Sequence, residues 1–155
     1  MSDRVRDVVF ALSAPGHGGG DLASSMRSLL RDTARTSGLK TDLVVSGDEP
    51  AGVSTVQDVV HGAVKEALAN VAKHAQAETV LVSLRYADDR CDVVVQDDGV
   101  GAPENVLHTF EDSYLHYGLR HMQRQIGDVG GTFEVANGEE GGLVLKISVP
   151  VPART

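Results

Sequence analysis

The chain has 155 residues, a formal net charge of −8 and one cysteine. That length fits one domain with a real core. A single cysteine excludes an intrachain disulfide framework, and the negative charge opposes nucleic-acid or anionic-membrane binding, which need clustered Lys and Arg. No apolar run approaches membrane-spanning length, and acidic residues stand in the first ten, so a soluble, cytoplasmic chain is expected.

In chain order, residues 3–13 predict a short helix with Val5, Val8, Val9 and Leu12 on one side. PGHGGG then breaks it. Residues 1–20 are accordingly read as a helix tail and Gly-rich linker, and 21–155 as the folded domain. Asp21 is a candidate N-cap for a helix carrying Leu22, Met26, Leu29 and Leu30, with Gly38 as its stop. DLVV at 42–45 predicts a strand, and SGDEPAG a loop. Ser54 or Thr55 is the expected cap of a long helix running through VKEALANVAKHAQA at 64–77.

Alternation predicts strands over 80–86 and 91–97, joined by Asp88 and Asp89 as a hairpin. Residues 102–117 have no clean period but hold Phe110, Tyr114 and Tyr117, which suggests a lid. Gly118 is expected to open a helix with Leu119, Met122 and Ile126 on one face, stopped near 127–131. Strands at 132–136 and 143–149, separated by NGEEGG, complete the chain. Hairpin strands with helices between the groups predict an α+β fold, a two-layer α/β sandwich with a mixed, mostly antiparallel sheet covered on one face by helices.

Three stretches carry candidate chemistry. On the long helix, Val60, Val64, Leu68, Val71 and Ala75 line one side, while Glu66, Asn70, Lys73 and His74 share another. Ala63, Ala67 and Ala77 fill the gaps on that polar side, where a solvated stripe usually carries long charged side chains. Taken alone the stripe is also what a solvated face shows. The expectation is that the alanines leave clearance for a ligand.

In QDDGVG at 96–101, counting back by twos from Asp97 gives Val95, Val93 and Cys91, so Asp97 points to the apolar side. An inward carboxylate is costly unless a donor meets it, and an adenine amine is such a donor. Gly99 and Gly101 let the backbone approach a flat ring; an ordinary Asp-Gly turn remains the alternative. In HYGLRHM at 116–122, a glycine opening a helix leaves amide N–H groups for phosphate oxygens, or is merely a flexible joint. A metal site on His116 and His121 is disfavoured by their spacing.

The order EALANVAKHA, VVVQDDGVG, YGLRHM with GG further on, and GGLVLKISVP resembles the ATP-binding catalytic domain of sensor histidine kinases, the Bergerat-type fold. It is most similar to the subfamily that signals to NarL/LuxR-type response regulators. The resemblance covers roughly residues 22–152, and three motifs in order make it specific. It implies that the chain binds ATP and Mg2+, with Asn70 ligating the metal. Glu66 would orient or deprotonate the nucleophile, or hold metal-bound water. Lys73 and His74 would face the phosphates. Asp97, Gly99 and Gly101 would form the adenine end, and Tyr117, Gly118 and Leu119 the glycine box at the far end of the lid.

The implied reaction is γ-phosphoryl transfer to a histidine outside this chain, which asks mainly for positioning and charge neutralisation. Implied partners are a histidine-bearing dimerisation domain, on the same full-length protein or another chain, and a response regulator, with no direct nucleic-acid or membrane contact. Two features depart from the pattern. Leu143 follows Gly142 where the family commonly has threonine, and neither His17 nor His61 has the neighbours of an acceptor histidine. An anti-sigma-factor-type serine kinase and a non-catalytic nucleotide-dependent interaction module are therefore kept as alternatives.

Overall fold

A computed structural model describes residues 21–87, 89–100, 114–139 and 141–152. Residues 1–20, Gly101 and most of the expected lid lie outside them.

Helix α1, Asp21–Ser37, buries Leu22, Ala23, Met26 and Leu30, the spacing of one helical face. Gly38 ends it at φ +79, its N–H donating to the Ala34 carbonyl at 3.0 Å. At the other end the Leu22 N–H is taken by Glu49 Oε1 at 3.3 Å, from a loop far along the chain. An anion at a helix N-terminus is favoured by the helix dipole. Glu49 Oε1 also accepts the Tyr86 hydroxyl at 3.0 Å. That one carboxylate oxygen ties together helix α1, the loop that carries Glu49 and the strand that carries Tyr86.

Burial first, and then the Glu49 charge, holds the Tyr86 hydroxyl well above its ordinary range, so the neutral donor persists. Tyr86→Phe is expected to cost about 1.5–3 kcal/mol, since a hydrogen bond to a charged group is lost while Glu49 stays half-buried. Urea denaturation checks it; a loss below about 0.5 kcal/mol would show that water replaces the hydroxyl without cost.

Strand β1, Lys40–Ser46, is longer than the 42–45 expected from its apolar core, because pairing continues through polar residues. A 3-10 turn, Ala51–Thr55, leads into α2, Gln57–Asn70. The expected cap by Ser54 or Thr55 is not formed: Val56 occupies the N-cap without a side-chain bond, and the Thr55 hydroxyl donates to the Gly52 carbonyl instead. The last turn of this helix widens to π geometry over Val71–Ala75, and Gln76 at φ 53 ends it. Strands β2, Thr79–Ala87, and β3, Arg90–Asp97, form the expected hairpin. Helix α3, Tyr114–Asp128, precedes β4, Thr132–Asn137, and β5, Leu143–Pro150.

The sheet order is β1-β2-β3-β5-β4, parallel only between β1 and β2. This is the mixed, mostly antiparallel sheet of the α+β expectation. Its inward residues, including Leu43, Val82, Leu84, Val93, Val95, Leu145 and Ile147, are buried with residues of α1, α2 and α3 in one core. Each such side chain contributes about 1.5–3 kcal/mol relative to exposure. The other face carries half-exposed or exposed residues such as Val44, Arg85 and Lys146, so helices cover one layer only. Among the described residues, no helix is long and apolar enough to cross a membrane.

Candidate functional site

Helix α2 is buried on two sides. Val60, Val64, Leu68 and Val71 form one, and Ala63, Ala67 and Asn70 the other. Helix α3 packs against α2, and its Gly118 meets Glu66. Burial changes the meaning of the alanines: Ala63 is 0% and Ala67 1% exposed, so protein rather than open clearance lies against them.

Asn70 is 7% exposed, and its Nδ2 is buried with no hydrogen-bond partner among the described residues. A buried amide without a partner costs about 1–3 kcal/mol, a cost that a ligand can remove. Glu66, one turn earlier, is half-buried with its carboxylate against Gly118 of α3. Lys73 lies exposed in the π turn, and His74 follows it there. Such turns recur at functional sites.

Asp97 ends β3 with its side chain inward and only 5% exposed, as the count by twos predicts. Its Oδ1 accepts the Gly99 N–H at 2.8 Å and the Leu143 N–H at 3.3 Å. Burial pushes the carboxyl above its ordinary value, these two amides oppose that shift, and neighbouring Asp98 adds to it. Asp98 does a separate task. It is exposed, and its Oδ1 accepts the Glu78 and Thr79 N–H groups at 2.9 and 3.0 Å, pinning the start of β2 to the loop after β3. Those amides hold its carboxyl below the ordinary value.

Two residues with no role in the sequence reading belong to this end of the sheet. Gly142, at φ +79, brings β5 against Asp97: a Cβ there would overlap the Asp97 carbonyl oxygen and stand 3.0 Å from Oδ1. Thr41 is 5% exposed and shares a row with Asp97, each paired to Val80 from opposite sides. Its alternation with buried Leu43 was the available signal. A pocket of about 340 Å³ at this end of the sheet is lined by residues of both faces, with Lys40, Asp42, Gln96 and Asp98 beside Thr41 and Asp97, and Asn70 is not in its lining. Because β2 starts directly after α2 and pairs Val80 with Asp97, Asn70 and Asp97 sit at the same end of the domain.

Gly118 differs from its expected place. Helix α3 begins at Tyr114, so Tyr117, Gly118 and Leu119 lie within its first turns and Gly118 does not open it. The first N–H groups of a helix are the unpaired ones, and that of Gly118 falls after them. What demands a glycine there is the Glu66 carboxylate. Gly101 lies outside the described residues.

Residues 55–153 match the family described as histidine kinase-, DNA gyrase B-, and HSP90-like ATPases. The chain belongs to that family. Among its relatives, the sensor histidine kinase NarS of Mycobacterium tuberculosis is 31% identical over 84% of this chain and 30% of its own length. The nitrate/nitrite sensor protein NarX of Escherichia coli is 33% identical over 59% of this chain and 14% of its own. The chain thus spans less than a third of these relatives. The crystal structure of the ATP-binding domain of PrrB from Mycobacterium tuberculosis superposes with a TM-score of 0.71 at 27% identity, covering 86% of this chain and 96% of that one. Full-length ShkA in complex with AMPPNP shares the fold at a TM-score of 0.68 and 17% identity, covering 88% of this chain and 31% of that one.

Proposed function

We propose that this chain is the ATP- and Mg2+-binding catalytic domain of a two-component sensor histidine kinase. The observation that carries the reading is the buried Asp97 carboxylate, held by the Gly99 and Leu143 amides at the end of the domain where Asn70 has an unpartnered amide. A charged acceptor fixed by backbone at the rim of a pocket suits the exocyclic amine of adenine. The sensor-kinase names of the relatives support the histidine acceptor over the serine-kinase alternative.

The donor set also suits Mg2+. Among the described residues no group of three or more His, Cys, Asp or Glu side chains forms a metal cage. Mg2+ prefers one or two protein oxygens plus phosphates and water, and in this reading it takes the Asn70 side-chain oxygen, not the Nδ2 donor. When bound, the ion neutralises phosphate charge. Lys73 and His74 supply positive charge for the phosphates, and Tyr117 and Leu119 of α3 belong to the same end of the site.

In the transfer, a histidine nitrogen on a dimerisation domain attacks the γ-phosphorus. The N–P bond forms as the bond to the bridging oxygen breaks, ADP leaves, and Glu66 accepts the imidazole proton. The acceptor domain belongs to the same full-length protein or to another chain, and the phosphoryl group passes on to a NarL/LuxR-type response regulator. Residues 1–20 are the helix tail and linker toward that domain, residues 102–117 include the lid, and Gly101 belongs with Gly99 to the adenine end.

Calorimetry with ADP tests the reading. Binding enhanced by Mg2+ is expected, and a folded chain that binds neither ADP nor ATP would overturn it. Asn70→Ala is expected to abolish the enhancement by Mg2+ while leaving metal-free ADP affinity within about threefold, because only the ion's protein ligand is removed.

A further inference from the structure

Most glycines that cannot be replaced owe it to a positive φ or to backbone pressed against backbone. Gly118 has neither. Its φ is not in the left-handed region, and the three atoms nearest to a Cβ built on it all belong to one side chain: Oε2, Cδ at 3.1 Å and Cγ at 3.3 Å of Glu66. The outer half of Glu66 therefore lies along the bare α-carbon of Gly118, in a notch that any larger residue would fill.

A glutamate has three rotatable bonds, and a half-buried one without a neighbour would sample several positions. We propose that Gly118 is a positioning residue whose missing side chain forms the seat of the Glu66 carboxylate. The inference rests on the reading of Glu66 as the group that receives the nucleophile's proton. Displacement of a reacting group by about 1 Å is enough to cost up to roughly a hundredfold in rate, so a seat of this kind acts on the chemical step. It also explains why glycine stands inside a helix, where alanine is the better helix former by about 1 kcal/mol. Because the obstructing atoms are the free end of a flexible side chain, an alanine at 118 moves the carboxylate and leaves the fold intact.

The test is Gly118→Ala in the chain as it stands, with and without Glu66→Ala. In the nucleotide-free protein, the 13C resonance of the Glu66 carboxyl carbon is expected to move on Gly118→Ala while the melting temperature does not fall. Transfer from ATP to a histidine-bearing helical hairpin supplied from a sensor kinase is expected to lose about tenfold in kcat, with KM for ATP and the Kd for ADP within about threefold. In the Glu66→Ala background no carboxylate is left to displace, so Gly118→Ala is expected to cost less than about twofold in the residual rate there.

An unmoved carboxyl resonance in a chain that binds ADP would overturn this inference alone. So would an equal loss in both backgrounds, or a loss confined to KM and the ADP Kd, which would place Gly118 at the phosphates instead. A wild-type chain that binds no ADP would overturn the kinase reading and any role of Gly118 in transfer with it.

Discussion

Asp97→Asn is expected to separate two quantities that usually fall together. Nucleotide affinity should drop by roughly 30- to 150-fold, the equivalent of about 2–3 kcal/mol, because a charged acceptor for the base amine becomes a neutral amide. Stability of the nucleotide-free domain should not drop, and at neutral pH should rise. Burial raises the carboxyl's pKa in the fold, so between 3.8 and that raised value the folded chain holds a proton that the unfolded chain has released. Folding stability therefore falls as pH climbs through this window, and at neutral pH Asp97 is a net cost.

Asparagine removes that cost while its amide oxygen still accepts from Gly99 and Leu143. Urea denaturation of both proteins from pH 4 to 8 should show the variant's advantage growing with pH and then levelling off, with calorimetry of ADP beside it. Loss of both stability and binding at every pH would mean that Asp97 is structural and the base is read elsewhere.

Gly142→Ala should produce the largest loss of stability, about 2–4 kcal/mol. Holding a side chain at φ +79 costs about 1–2 kcal/mol. The larger cost comes from the overlap with the Asp97 carbonyl, which is backbone in a paired strand and cannot swing aside. Relief requires β5 to draw away from β3 at its first residues, which breaks the 3.3 Å bond from the Leu143 N–H to Oδ1. Nucleotide affinity should fall as well. Gly141→Ala is the internal comparison: φ is +103, but among the described residues its Cβ meets only the Gly99 carbonyl at an ordinary 3.7 Å, so the cost should stay near 1–2 kcal/mol. Equal urea midpoints for the two variants would refute the contact argument.

How far the sequence discloses this site depends on whether a residue's neighbour can be inferred from its own periodicity. Asp97 was legible because strand alternation is rigid, and an acidic residue in phase with Cys91, Val93 and Val95 must face inward. The sheet and its hairpins were legible for the same reason. Gly142 was not, because a glycine pair in NGEEGG reads as a turn and nothing local records that Asp97 lies against it.

Ala63 and Ala67 show the converse limit. Their place on the helix was clear, but a small side chain fits a nearby ligand and a packed core equally, and here both are buried in the core. The start of α3 was misplaced because residues 102–117 have no period from which to read Tyr114 as helical. The missing cap of α2 follows from Thr55 finding a closer acceptor in its own 3-10 turn.

The bond from Leu143 to Asp97 joins residues 46 apart in the chain. Contacts that close such long loops form late, after the β2-β3 hairpin and the helices have paid their own entropy. The surroundings of Asp97 are therefore complete only when β5 has docked. A ligand that requires them binds the native state alone, and at a hundred times its Kd it deepens the native minimum by about 2.7 kcal/mol.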